Sequence, residues 1–320
     1  MKIDFLAAPA MITWQLTRDC NLACLHCCTD SAPGRALPGE LSREEALGLA
    51  DQIVAAQVPY VMIVGGEPTI VPHFFEVAER LGQGGVLLKI ETNGQKFSDT
   101  DAARLSRQPI RSVQISIDGA NETTYARMRP GGSLDKVKQA CRAVRRFGMP
   151  LEITFAPTKL NIADAEGVIR LALDLDAFRF NTGRLMRLGT AAKLWDRLCP
   201  DGKDYEIFYN LLVTKEAELA EKMELCFRPF SLKEELQARS TEPSGTLLVL
   251  PDGKVKVSAP LPYLCADLKT QSLAEAWEAY RAAWTHPRVV AGLAEAAGNE
   301  ERLSEANHWV MLEENLPVVV

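Results

Sequence analysis

Several things are missing from this sequence, and each absence narrows the reading. No apolar run approaches the roughly 20 residues that cross a bilayer, so no membrane partner is expected. The opening residues are broken by Lys2, Asp4 and Thr13 and lack an apolar stretch ending in a small-residue cleavage site. No export signal is read there, and a cytoplasmic location is expected. No face or run is rich in Lys and Arg, and the net charge is −6 with a pI of about 5.5, so no nucleic-acid partner is expected. There is no low-complexity linker and no repeat beyond a strand–helix unit. A second C-x2-C pair and any HxxxH are also absent, so no conventional zinc module can be assembled.

What remains is a chain of 320 residues, 47% hydrophobic and 24% charged, an ordinary composition for a soluble globular protein. It is long enough for one large domain, or for one domain with a smaller appendage. Four of its eight cysteines fall within the nine residues Cys20-Asn-Leu-Ala-Cys24-Leu-His-Cys27-Cys28. Spacing this tight cannot make unstrained local disulfides. In a long chain without an export signal, such a cluster indicates metal binding or catalysis.

Apolar, β-branched runs alternate with amphipathic helical patterns. Strands are expected over 11–17, 59–64, 86–92, 112–118, 151–157 and 178–186, and helices near 42–57, 72–82, 99–107, 133–147 and 161–175. Ser42-Arg-Glu-Glu45 is a capping-box pattern, and Gly148 ends the fourth helix before Pro150. Repeated alternation implies a parallel α/β sheet with right-handed crossovers, either a partial barrel or an open doubly wound sheet. In both, functional groups gather at the carboxyl ends of the strands. After about residue 190 the pattern changes. One or two charged helices are expected over 203–240, a hairpin turning at Pro251-Asp-Gly253, a helix near 272–284, and an irregular tail.

Cys20, Cys24 and Cys27 are spaced C-x3-C-x2-C and follow the first strand directly. Three thiolates on one short loop can hold three irons of a 4Fe–4S cubane and leave the fourth open. Zinc is the competing reading, with Cys28 or His26 as fourth ligand, although adjacent residues fit a tetrahedron poorly. The second strand ends in Gly65-Gly66-Glu67-Pro68, where glycines let a ligand approach the backbone and Glu67 offers an acceptor to an ammonium group. The third ends in Glu91-Thr92-Asn93-Gly94. The fourth ends in Ser116-Ile117-Asp118-Gly119, whose hydroxyl and carboxylate share one strand face and suit a ribose. Beyond it, Arg127 and Arg129 can each pair with a carboxylate. Each of these alone also reads as a plain turn; together they fall on one face.

The C-x3-C-x2-C loop followed by GGEP, TNG and SIDG resembles the radical S-adenosylmethionine (SAM) superfamily over roughly residues 11–190. The resemblance implies a partial (β/α)6 barrel whose single 4Fe–4S cluster binds SAM through its open iron. It implies reductive cleavage of SAM to methionine and a 5′-deoxyadenosyl radical, which abstracts hydrogen from a substrate. An electron donor such as flavodoxin or ferredoxin is implied as a partner. By that resemblance Cys20, Cys24 and Cys27 hold the cluster, and Gly65, Gly66 and Glu67 contact the methionine amino group. Asn93, Ser116 and Asp118 line the SAM pocket, with Asp118 nearest the ribose. Arg129 neutralises the SAM carboxylate, with Arg127 as competitor. His26 stands where the family often has an aromatic ring, and Cys28 departs from the pattern.

Residues 245–258, with SLAEAW after them, resemble the auxiliary domain called SPASM. Residues 1–190 are then expected to be the core, and 191–320 a helical linker plus a small α+β SPASM-like extension with its hairpin at 246–258. That family's auxiliary cysteines are missing: Ser258 stands where one is expected, residues 241–244 have none, and none follows Trp277. Cys226 and Cys265 are expected to be buried in the core, with a two-cysteine cluster completed by non-Cys ligands as the alternative, and Cys141 and Cys199 to be structural. A reaction that removes no electron from its substrate is favoured, such as epimerisation, decarboxylation, carbon–carbon bond formation or rearrangement. Fewer than about a dozen residues precede the first strand, so no fused peptide-recognition domain is expected. The substrate is read as a peptide or a small-molecule intermediate of tetrapyrrole, sugar or amino-acid origin. The alternative is a non-catalytic iron–sulfur or zinc-binding protein.

Overall fold

A computed structural model of the chain describes residues 3–312. Six strands alternating with helices come first: β1 Met11–Gln15, α1 Arg43–Ala55, β2 Tyr60–Val64, α2 Phe74–Gln83, β3 Leu87–Thr92, α3 Asp99–Leu105 and β4 Ile110–Ser116, then α4 Glu122–Met128, α5 Leu134–Arg146, β5 Leu151–Phe155, α6 Ala165–Asp174 and β6 Arg179–Thr182. Short helices α7 Gly189–Lys193 and α8 Trp195–Leu198 lead to α9 Gly202–Leu219, β7 Glu224–Cys226 and α10 Leu232–Thr241. The chain then forms β8 Thr246–Val249, β9 Lys254–Lys256, β10 Tyr263–Asp267, α11 Leu273–Ala283, α12 Pro287–Gly298 and β11 Val310–Met311.

Helix starts follow local chemistry. Ser42 and Glu45 close a capping box at α1, as do Ser98 and Asp101 at α3, Asp201 and Asp204 at α9, and Ser272 and Glu275 at α11. Strand alternation sets the layers. Ile12, Trp14, Val61, Ile63, Leu88, Ile90, Val113, Ile115, Leu151 and Ile153 are wholly buried against the helices. Their neighbours Thr13, Gln15, Met62, Val64, Glu91 and Ser116 face a concave interior.

The strand order is β11-β10-β9-β8-β1-β2-β3-β4-β5-β6-β7. Strands β1 to β7 are parallel and succeed one another without reversal. A doubly wound sheet reverses its order at a switch point, so this is the partial-barrel alternative, left open at its edges. The C-terminal hairpin joins the same sheet. β8 runs parallel to β1, with Met11 opposite Thr246 and Trp14 opposite Val249. Trp277 donates to the Leu6 carbonyl at 2.9 Å and Tyr280 to that of Ser244 at 2.8 Å, locking α11 over the joint.

Differences from the sequence reading are local. The expected strand over 178–186 is only Arg179–Thr182, and the helix over 161–175 begins as a tight turn, Ile162–Asp164. The three-residue β7 separates the two helices expected over 203–240. Through residue 312 the tail is not irregular: Pro287 at a first-turn position and His286 as cap open the 12-residue helix α12.

Candidate functional site

The segment after β1 is pinned before it reaches the cysteines. Glu40 accepts from the Thr17 hydroxyl and the Arg18 N–H, each at 2.8 Å. Asp19 Oδ1 accepts from the N–H groups of Cys20 at 3.0 Å and Gly34 at 2.8 Å. Cys20, Cys24 and Cys27 then face one cavity of about 290 Å3, lined also by Gly65, Gly66, Asn93, Ser116 and Arg129.

Each sulfur has a donor. Leu22 N–H stands 3.5 Å and Asn93 Nδ2 3.7 Å from Cys20 Sγ; Ser31 N–H stands 3.3 Å from Cys27 Sγ, and an Arg129 guanidinium nitrogen 3.5 Å from Cys24 Sγ. Donors aimed at sulfur stabilise thiolate ligands. Without such a ligand role, burial pushes the Cys20 thiol up to about 11 and that of Cys24 to about 12. Among the described residues, no three His, Cys, Asp or Glu side chains gather closely enough to hold a single metal ion. The donor set suits a cluster spread across the cavity.

Gly65 and Gly66 line the cavity and also carry a packing role that the sequence did not reveal. A Cβ on Gly66 would lie 2.0 Å from the Asp19 carbonyl oxygen, and one on Gly65 2.6 Å from that of Thr17. Gly66 N–H donates to Thr17 O at 2.7 Å and Glu67 N–H to Asp19 O at 2.9 Å. The end of β2 is thus stitched to the base of the cysteine loop.

Glu67, expected to receive an ammonium group, is 1% exposed and already satisfied. Its carboxylate accepts from the Thr69 and Thr92 hydroxyls at 2.6 Å each, and from Asn93 N–H at 2.7 Å. It positions Asn93, whose side chain reaches Cys20 and Asn21.

Asp118 lies behind the cavity wall rather than on it. One oxygen accepts from Arg129 Nε at 2.5 Å and lies 3.1 Å from His26 Nε2; the other accepts from Ala156 N–H at 2.8 Å. Burial opposes its charge, yet Arg129 and His26 hold its carboxyl well below the usual carboxylate range. Arg129 is thereby clamped between Asp118 and Cys24. Arg127, its competitor in the sequence, donates instead to the Leu160 carbonyl.

The sequence reading passed over Glu91, Thr13, Gln15 and Met62, which line the same cavity. Glu91 had a signal: an acidic residue on a buried strand, on the inward register two residues before Asn93. A second cavity, of about 490 Å3, opens at the ends of β5, β6 and β7 beside Thr154, Asn181 and Cys226.

Residues 14–172 match the profile of the Radical SAM superfamily. The chain belongs to that superfamily. The superfamily carries a 4Fe–4S cluster and SAM, and the three cysteines and the glycine-lined cavity fit both. Mycofactocin maturase MftC of Mycobacterium ulcerans is 35% identical over 211 residues, 66% of this chain and 56% of the maturase. The AdoMet-dependent heme synthase of Methanosarcina barkeri is 26% identical over 293 residues, 85% of this chain and 82% of the synthase. The chain thus spans little more than half the length of the maturase. The crystal structure of Streptococcus suis SuiB bound to precursor peptide SuiA superposes with a TM-score of 0.71 at 13% identity, over 91% of this chain and 68% of SuiB. That likeness shows the radical SAM partial-barrel fold. Among the described residues, no helix is long and apolar enough to cross a membrane.

Proposed function

We propose that this chain is a radical SAM enzyme carrying one 4Fe–4S cluster on Cys20, Cys24 and Cys27. Bound together there, cluster and SAM supply one-electron reductive cleavage of SAM and hydrogen abstraction by the resulting 5′-deoxyadenosyl radical. The protein's own residues prepare the place. Cys20, Cys24 and Cys27 ligate three irons and leave one open. Gly65 and Gly66 bring backbone to the ligand, Glu67 fixes Asn93, and Ser116 offers a hydroxyl from β4. Asp118 holds Arg129 against Cys24, so a cation faces the cluster without being free to swing away. The observation that carries the reading is the convergence of three thiols with this glycine-lined strand end in one cavity.

The substrate is a peptide or a small-molecule biosynthetic intermediate. A relative named as a maturase, a fold neighbour solved with a precursor peptide, and a relative named as a heme synthase support both classes. Residues 1–190 act as the core and 191–320 as a SPASM-like extension that shapes the substrate side. With no auxiliary cysteine set in the sequence, a redox-neutral outcome is favoured. Flavodoxin or ferredoxin in the cytoplasm supplies the electron.

Anaerobic reconstitution with iron and sulfide, reduction and addition of SAM test this directly. Wild type is expected to form 5′-deoxyadenosine, and Cys24→Ala to form none, because two thiolates do not retain a cubane. Wild type binding zinc with little iron, or the variant keeping full iron and SAM cleavage, overturns the assignment.

A further inference from the structure

Beneath the cysteines, the barrel interior carries a chain of polar side chains with a fixed direction. Lys89 Nζ donates to Glu152 Oε2 at 2.8 Å, and Asn181 Nδ2 donates to the same oxygen at 2.8 Å. The Asn181 amide also donates to Gln114 Oε1 at 3.0 Å. Gln114 is therefore turned so that its Nε2 donates to Glu91 Oε1, at 2.9 Å. Ammonium has no acceptor, so Lys89 and Glu152 set the polarity, and each amide in turn has only one orientation that works. The chain crosses β3, β4, β5 and β6 and ends on Glu91.

Glu91 is where this order meets the cavity. It stands in the lining with Cys20, Cys24 and Cys27, one strand repeat below Asn93. One oxygen is held by Gln114; none of the hydrogen bonds described reaches the other. The nearest cation, Lys89, is committed to Glu152, and the cavity's guanidinium, Arg129, is committed to Asp118. A carboxyl at a ligand cavity without a cationic partner is costly to ionise, and burial raises its pKa accordingly, with Lys89 only partly opposing. A ligand that brings positive charge removes that cost.

SAM brings it. Its sulfonium and ammonium outweigh its one carboxylate, giving a net charge of about +1 at neutral pH. We propose that Glu91 is a SAM-contacting residue that recognises the sulfonium charge of the bound ligand. The proposal rests on the radical SAM reading. It adds a carboxylate contact that Gly65, Gly66, Asn93 and Ser116 do not provide. It also gives the Lys89–Glu152–Asn181–Gln114 chain a purpose: the chain holds one Glu91 oxygen still and leaves the other for the ligand.

The test compares two ligands that differ in that charge. Equilibrium dissociation constants for SAM and for S-adenosylhomocysteine, which lacks the sulfonium charge, are measured on the anaerobically reconstituted protein. For Glu91→Gln, SAM affinity is expected to fall about tenfold through loss of one buried charge attraction to the sulfonium, while S-adenosylhomocysteine affinity stays within about twofold. Glu91→Asp keeps the charge and is expected to retain most of the preference for SAM. Iron content and thermal melting serve as folding controls. Equal loss for both ligands in Glu91→Gln, or loss for neither, overturns the proposal. Wild type that binds the cluster but no SAM removes the enzyme reading itself. Wild type that binds and cleaves SAM alongside an unaffected Glu91→Gln removes only the role of Glu91.

Discussion

At the scale of single residues, the carboxylates near the cysteines divide by what they hold. Glu67 and Asp118 are wholly committed inside the protein, whereas Glu91 lines the cavity with a hydrogen bond described at one oxygen only. Asp118 is the most consequential for stability. Removing its charge leaves the Arg129 guanidinium buried without a counterion, and breaking such a buried pair costs about 3–5 kcal/mol. Exposed pairs such as Arg146–Asp99, with both side chains more than half exposed, contribute about 0–1 kcal/mol. Asp118→Asn is therefore expected to lower unfolding free energy by about 3 kcal/mol or more. It should also loosen Cys24, against which Arg129 leans. Asp99→Asn is expected to change stability by less than about 1 kcal/mol. Chemical denaturation of both variants checks the contrast; similar losses in the two would refute it.

At the scale of elements, the β8–β9 hairpin carries an ammonium into the interior. Lys256 is 3% exposed, and its Nζ has the Ala259 carbonyl, at 2.8 Å, as its hydrogen-bond acceptor. Burial lowers its pKa to about 7, with the Cys28 side chain only weakly opposing. A depressed lysine pKa means that the unfolded chain binds more protons between that value and the ordinary lysine value of about 10.4. Stability must therefore rise with pH across that window and gain nothing further below it. Wild type is expected to grow more stable from pH 7 toward 10, and Lys256→Met to be more stable at pH 7 with a flatter profile; thermal melting across that range decides. The hairpin itself was legible, since Asp252-Gly253 sits between alternating runs and Gly253 adopts a φ of 85°. So were the β1–β6 progression and the cysteine loop, because period-2 burial and tight thiol spacing are local signals. The three-residue β7 was not, being too short to show a period. α12 carried its Pro and cap signals but no strong polar stripe. Asp118 stood out at the end of β4, but its burial between Arg129 and His26 was not legible. Its partners arrive from the end of α4 and from the cysteine loop, and no spacing rule brings them together.

At the scale of the whole molecule, one sheet runs from the C-terminal β11 to β7, with β1, which leads into the cysteine loop, in its interior. Cys226 on β7 and Cys265 on β10 lie toward opposite ends of that order. Cys265 Sγ rests 3.6 Å from the Val255 carbonyl, partly buried against the core. Cys226→Ala and Cys265→Ala are each expected to leave iron per chain unchanged after reconstitution. Loss of about half the iron in either would reveal a second cluster. The partnership of β1 with β8 has a consequence in time. A ribosome releases the cysteine loop long before β8, and β1 gains its second neighbour only when residues 246–249 follow. Domains assemble as their contacts are completed, and contacts between distant parts of a chain form late. During synthesis the thiols therefore hang from a strand with one open flank, exposed to oxidation and to stray metals. A cluster on those thiols is expected to load once residues 246–249 have paired with β1.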